Sequence, residues 1–292
     1  MFGTEWPLVI FTILVQMSVG LLIVSELACL TGGAAARDLL KGREFFSLVL
    51  GVAGLLFSFG HLGTPTHSPF AILNLAHSWL SREILCTSAF LGCLVVLTIT
   101  RHIVLFRAFS RLVAAVAGLL GLATIFVMSR VYMIVTVPAW NSPATLLNFV
   151  GAALLLGALA TGLLACSRWS GESNGEARSP IARIMSLVLL FAALGLVAKF
   201  IEIPVSLFAG LATNARGVSA TSALLTDGLG PYVLQVVLLI VGTALFVHVA
   251  ATVMRGNVVL LSLLGTGALF VALAGEVLGR FVFFNMHVLI GL

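Results

Sequence analysis

Eight apolar runs alternate with short polar connections along the chain, at about 7–30, 45–62, 84–100, 112–135, 146–166, 184–209, 232–254 and 258–279. Each is of a length that crosses a hydrocarbon core as an α-helix, about 17–25 residues. No connection has the length or polarity of a soluble domain. The pattern predicts an all-α, polytopic integral membrane protein, a single membrane domain over 1–292 with eight transmembrane helices.

Few polar residues interrupt this pattern, and they fall at related places. His61 sits where the second run ends and Glu83 where the third begins. Arg130 and Tyr132 close the fourth run, ahead of Val137-Pro138-Ala139-Trp140. Lys199 and Glu202 lie three residues apart on one helical face near the end of the sixth, with Pro204 behind them. Glu276 and Arg280 end the eighth, ahead of His287. Between runs two and three, Gly63, Pro65 and Pro69 break helix. The following stretch of Phe70 to Leu73, Leu75, Trp79 and Leu80, interrupted by Asn74, His77 and Ser78, is amphipathic. It is expected to lie on the membrane surface as a partial lid, with Trp79 in the interfacial belt.

Composition supports the class. Of 292 residues, 61% are hydrophobic and 9% charged, with a mean hydropathy of +1.20. Soluble domains carry roughly 25% charged residues. The net charge of +5 comes without any Lys/Arg cluster interleaved with aromatics, which excludes a nucleic-acid surface. The start of the chain has no basic residue before the first apolar run and does not read as a cleaved signal peptide. Cys29, Cys86, Cys93 and Cys166 form no C-x-x-C pair, so they supply neither an iron–sulfur cluster nor a Cys-rich zinc site.

Charge also sets the expected orientation. Ten of the fifteen basic residues fall in the loops near 31–44, 101–111, 167–183 and 255–257. Basic residues concentrate in cytoplasmic loops, so both termini are expected outside, with His61 and Glu83 on the outer side. By helical rise Lys199, sixteen residues beyond Arg183, lies roughly 24 Å across, in the outer half. Ionisable groups at membrane depth cost on the order of 2.5–3.5 kcal/mol each at the centre, so they face a bundle interior and pair. The outer helix ends therefore carry polar groups that can converge, whereas the cytoplasmic ends show ordinary loop charge. Arg130 with Tyr132, and Arg280 with Phe281 and Phe283, echo each other half a chain apart and suggest two related four-helix halves.

Histidine titrates near pH 6.5, which suits a group that must accept and release protons. His61, left accessible by Gly60 and Gly63, reads as a proton acceptor for a ligand arriving from the lipid, or as a headgroup contact. Glu83 reads as the carrier of a second proton, or as a partner of Arg82. Together they suit a two-proton donor. Arg130, Tyr132, Glu276 and Arg280 read as ligand contacts, interface anchors or structural ion pairs. A bis-histidine haem needs two imidazoles at one depth. His248 lies sixteen residues into the seventh run, near the inner face, and His61 at the outer face, so these two cannot share an iron. A solute transporter would place its polar groups near the midplane on broken helices.

In the order and spacing of these residues the chain resembles the membrane anchor subunits of respiratory dimethyl sulfoxide reductases. The likeness runs over nearly the whole length. It rests on Glu5-Trp6-Pro7-Leu8, His61-Leu62-Gly63-Thr64-Pro65, Glu83, Arg130-Val131-Tyr132, Val137-Pro138-Ala139-Trp140, and Gly275-Glu276-Val277-Leu278-Gly279-Arg280 with His287. The resemblance implies an eight-helix subunit of the bacterial inner membrane, without haem or iron–sulfur cluster, that oxidises menaquinol near the periplasmic face. It implies two partners: a ferredoxin-like subunit with four [4Fe–4S] clusters, and a molybdopterin catalytic subunit that reduces the terminal substrate. His61 and Glu83 match positions implicated in quinol binding and oxidation. Gly63, Thr64, Pro65, His67, Arg130 and Tyr132 would belong to the same site. His67 stands where the family pattern has an arginine, so a basic contact there becomes pH-dependent. A haem b cytochrome subunit and a small-solute transporter are the alternatives.

Overall fold

The structure is a computed structural model, and it describes residues 6–61, 74–103, 109–169, 180–214, 217–255 and 261–289. The long helices are α1 (Trp6–Leu39), α2 (Arg43–Ser58), α3 (Trp79–His102), α4 (Ser110–Tyr132), α5 (Pro143–Cys166) and α6 (Pro180–Ala209). A four-residue α7 (Ala220–Ala223) and one π-helical turn lead into α8 (Leu229–Met254), followed by α9 (Leu261–Asn285).

Seven of these helices, all but α2 and α7, are long and apolar enough to cross a membrane. α2 has sixteen residues, roughly 24 Å of helix. A 3₁₀ turn, Phe59–His61, extends it by about 6 Å. α1 is broken near its end by Gly33, whose φ of 69° and ψ of −144° are non-helical. The apolar run predicted to stop at about 30 therefore does so, and a short further helix continues into the connection.

α3 begins earlier than hydropathy predicts. Ser78 caps it, its hydroxyl accepting the backbone N–H of Ser81 at 3.2 Å. Trp79 to Arg82 thus belong to the first turn of α3 and not to a surface lid. Residues 74–78 form a turn before α3, and residues 62–73, which hold the remainder of the expected lid, lie outside the described residues.

The helices form two rings of the same cyclic order. In the first, α1 packs on α2, α2 on α3, α3 on α4 and α4 back on α1. In the second, α5, α6, α8 and α9 repeat that circuit. The rings meet where α1 crosses α5, the first helix of one against the first helix of the other. This crossing needs Gly20 and Gly157. A Cβ on Gly20 would stand 1.8 Å from the Ala153 carbonyl oxygen, and one on Gly157 2.2 Å from the Gly20 carbonyl carbon. Small residues let membrane helices approach this closely, where no hydrophobic force draws them together. Hydroxyls add interhelical bonds: Ser18 Oγ on α1 donates to the Ser47 carbonyl at 2.7 Å, and Ser47 Oγ to the Ser18 carbonyl at 2.8 Å.

The predicted inner end carries more than loop charge. Arg43 Nε is 2.8 Å from Glu26 Oε1, Arg101 Nη2 is 2.6 Å from the same oxygen, and Arg101 Nη1 is 2.7 Å from Glu44 Oε2. This network ties α1, α2 and α3 together. Ordinary loop charge was the expectation there. Interhelical pairing displaces it because Arg43, at the start of α2, and Arg101, near the end of α3, each stand beside a largely buried carboxylate.

Candidate functional site

Glu83 lies one turn inside α3 and is only 6% exposed. Trp79, Glu83 and Thr87 follow at four-residue spacing and share one face. Further along the helix Phe90, Leu91 and Leu94 are buried in the first ring. Among the described residues no cation and no hydrogen-bond donor meets the Glu83 carboxylate. One turn deeper, the Thr87 hydroxyl is also buried without a partner among them.

Arg82 does not pair with Glu83. Its Nε donates to the Leu75 carbonyl at 2.9 Å and its Nη2 to the Ala76 carbonyl at 2.8 Å, closing the turn before α3. Its guanidinium also stands 4.3 Å from the centre of the Trp79 ring. Arg130, in the last turn of α4, stands 5.0 Å from the same ring, and the edge of Phe126 completes the contact at 6.3 Å. Two cations therefore stand against one indole, one turn from a carboxylate that no described residue pairs. Cation–π contact is worth about 0.5–2 kcal/mol according to desolvation, enough to fix a rotamer. Trp79, expected to serve only as an interfacial anchor, is thus the residue that brings Arg130 to α3.

Tyr132 goes elsewhere. It is two residues beyond Arg130, about 200° around the helix. Its ring lies 5.8 Å from Trp140, 5.7 Å from Phe149, 5.6 Å from Phe283 and 5.7 Å from Phe284, between the two rings of helices. The backbone of His61 ends the 3₁₀ turn after α2, and a Cβ on the neighbouring Gly60 would stand 3.4 Å from Pro7. The His61 side chain, with Gly63, Thr64, Pro65 and His67, lies outside the described residues.

The second ring holds its own polar group. Lys199 Nζ is 2.6 Å from Glu276 Oε2 and 3.0 Å from Asn148 Oδ1. Arg280 Nη2 donates to Gln16 Oε1 at 2.9 Å, and its guanidinium stands 4.1 Å over the Phe149 ring. Gln16 in turn reaches Met128 Sδ at 3.5 Å. Gln16 and Asn148 were not singled out in the sequence. Their signal was an amide deep in an otherwise apolar run, a group that membrane depth obliges to find a partner.

The family model of the DMSO reductase anchor subunit (DmsC) matches residues 2–286. Over 303 residues the sequence is 31% identical to the anaerobic dimethyl sulfoxide reductase chain YnfH of Escherichia coli (strain K12), which covers 99% of this protein and 96% of that one. It is also 31% identical over 299 residues to a second anaerobic dimethyl sulfoxide reductase subunit of the same strain, with 99% and 96% covered. An anaerobic dimethyl sulfoxide reductase subunit of Haemophilus influenzae is 28% identical over 153 residues, which span 50% of this protein and 53% of that one. No solved structure matches the sequence. With a family model matched from residue 2 to residue 286 and two relatives aligned almost end to end, this protein belongs to the DMSO reductase anchor subunit (DmsC) family.

Proposed function

We propose that this subunit anchors a molybdopterin-type reductase to the bacterial inner membrane and oxidises menaquinol for it. It crosses the membrane eight times with both termini outside, α2 and its 3₁₀ turn reaching the roughly 30 Å that a span requires. The quinol site lies at the outer end of the first ring, between the end of α2 and the start of α3.

The observation that carries this reading is the buried Glu83 carboxylate, unpaired among the described residues. A buried acceptor left without a donor costs about 1–3 kcal/mol, more when charged. A quinol hydroxyl entering from the lipid supplies that donor. His61 takes the proton from one hydroxyl and Glu83 takes or relays the other, so a quinol becomes a quinone as two protons leave on the outer side. The two electrons leave to an iron–sulfur cluster of a partner subunit and continue to the molybdopterin subunit, because the four cysteines here form no cluster-ligating set. Arg130, held at the site by Trp79, favours negative charge on the substrate oxygen as its proton departs. Gly63, Thr64, Pro65 and His67 belong to the same proposed quinol site on the strength of the family resemblance, and Tyr132 sets the end of α4 from the other side.

In the intact complex, His61→Ala is expected to abolish turnover with menaquinol while assembly and turnover with an artificial dye persist. Normal menaquinol rates in that variant would sink the assignment. A Soret band belonging to this subunit would point instead to a haem b cytochrome.

A further inference from the structure

The second ring contains a small cavity of about 10 Å³ whose lining includes Thr145, Asn148, Glu202, Ser206, Tyr232 and Gln235. It has room for a water-sized molecule. A second cavity beside it, lined in part by Lys199, shares Gln235 as a wall.

The side chains around this space are built as a site and are incompletely satisfied. Gln235 Oε1 and Tyr232 Oη, both in the lining, are buried with no hydrogen-bond partner among the described residues, and so, beyond the lining, are Glu276 Oε1 and Nε and Nη1 of Arg280. Gln235, Glu276 and Arg280 are 5%, 1% and 2% exposed. Buried polar groups are almost always bonded, to protein or to ordered water. Within the lining the unmet groups are the Gln235 amide oxygen, which accepts, and the Tyr232 hydroxyl, which both donates and accepts. Fixed charge is balanced around them, with Lys199 and Arg280 against Glu202 and Glu276, so neither an added cation nor an added anion is called for. The occupant must be small, neutral, and both donor and acceptor.

Depth gives the site a direction. Ser206, Glu202 and Lys199 lie about 5, 10 and 15 Å inward from the end of α6 at Ala209. Ala139 and Met286, also in the lining, come from the segments that follow α4 and α9, at the predicted outer end.

From these features we infer that the second ring binds ordered water. It forms a short polar shaft from the predicted outer surface, past Glu202, Tyr232 and Gln235, toward the buried Lys199–Glu276 pair. Each water meets two or more polar partners, which is what an internal water needs. The shaft does not depend on the quinol reading, since it lies in the other ring of helices and uses none of the same side chains.

X-ray radiolysis of the intact purified complex in ¹⁸O-enriched water tests it, because hydroxyl radicals form where water resides. With intrinsic reactivities normalised, Tyr232 and Met286 are expected to take label about tenfold faster than Phe246, a fully buried ring of the apolar core. Gln235→Leu should remove most of that labelling, and Glu83→Gln should leave it intact. If Gln235→Leu does not assemble, Ser206→Val fills the cavity from its wall and carries the same expectation. Labelling of Tyr232 no faster than that of Phe246, or unchanged by the substitution, overturns the proposal.

Discussion

Lys199 on α6 holds Glu276 on α9 at 2.6 Å, whereas Glu83 on α3 has no such partner among the described residues. Both carboxylates are buried in a protein whose helices cross lipid. The paired one closes a structural link between helices 77 residues apart in sequence. The unpaired one has its bonding capacity unmet among the described residues, which is the condition a substrate-binding acid must meet.

Glu83→Gln keeps the shape of the side chain and removes its ability to take a proton. Menaquinol-dependent turnover of the complex is expected to fall about 10²–10⁴-fold, the usual worth of a positioned proton acceptor. Dye-dependent turnover and assembly should be unchanged, and Glu83→Asp should retain part of the quinol rate. Steady-state assays with both donors decide the matter.

Breaking the Lys199–Glu276 pair on one side strands a buried charge. Glu276→Leu is expected to destabilise the subunit by about 3–5 kcal/mol, and Lys199→Met with Glu276→Leu to recover much of that loss. Thermal melting of the detergent-solubilised complex measures both. A double variant no better than the single one would show that the pair is not the cause.

Arg101 joins Glu26 and Glu44 across three helices. Arg101→Gln takes the guanidinium away from Glu44 and leaves Glu26 with Arg43 alone. The expected result is a lower melting temperature with an unchanged KM for menaquinol, since the network lies at the opposite end of the bundle from Glu83.

Orientation can be read directly. Alkaline phosphatase fused after His287 should be active, and fused in the connection between α3 and α4 it should be inactive. The reverse pattern would invert the topology and place Glu83 at the cytoplasmic face.

Apolar runs located every long helix, because membrane helices declare themselves by composition over about 20 residues. What hydropathy could not see was local chemistry at their ends: the Ser78 cap that starts α3 at Trp79, and the 3₁₀ turn that finishes α2. The polar residues at risk were legible, since His61, Glu83, Lys199, Glu202, Glu276 and Arg280 stand out against apolar neighbours. Their partners were not. Lys199 is three residues from Glu202, yet its ion pair is with Glu276 on α9. Glu26 and Glu44 escaped notice because Arg43 and Arg101 reach them from other helices. The separation of Arg130 from Tyr132 was implicit in helical geometry, but the side that each faces depended on where α3 and α5 stand.

The contact of Gly20 with Gly157 bears on electron transfer. Backbone rests on backbone there, with no side chain between to act as a bearing, which leaves little slack for the two rings of helices to rock against each other. Alternating-access proteins depend on that rocking. On the proposed quinol reading, a stiff joint at this crossing keeps whatever docks on the subunit at one distance from a molecule bound beside Glu83. Because electron tunnelling falls steeply with separation, a joint with little play keeps the rate the same from one turnover to the next.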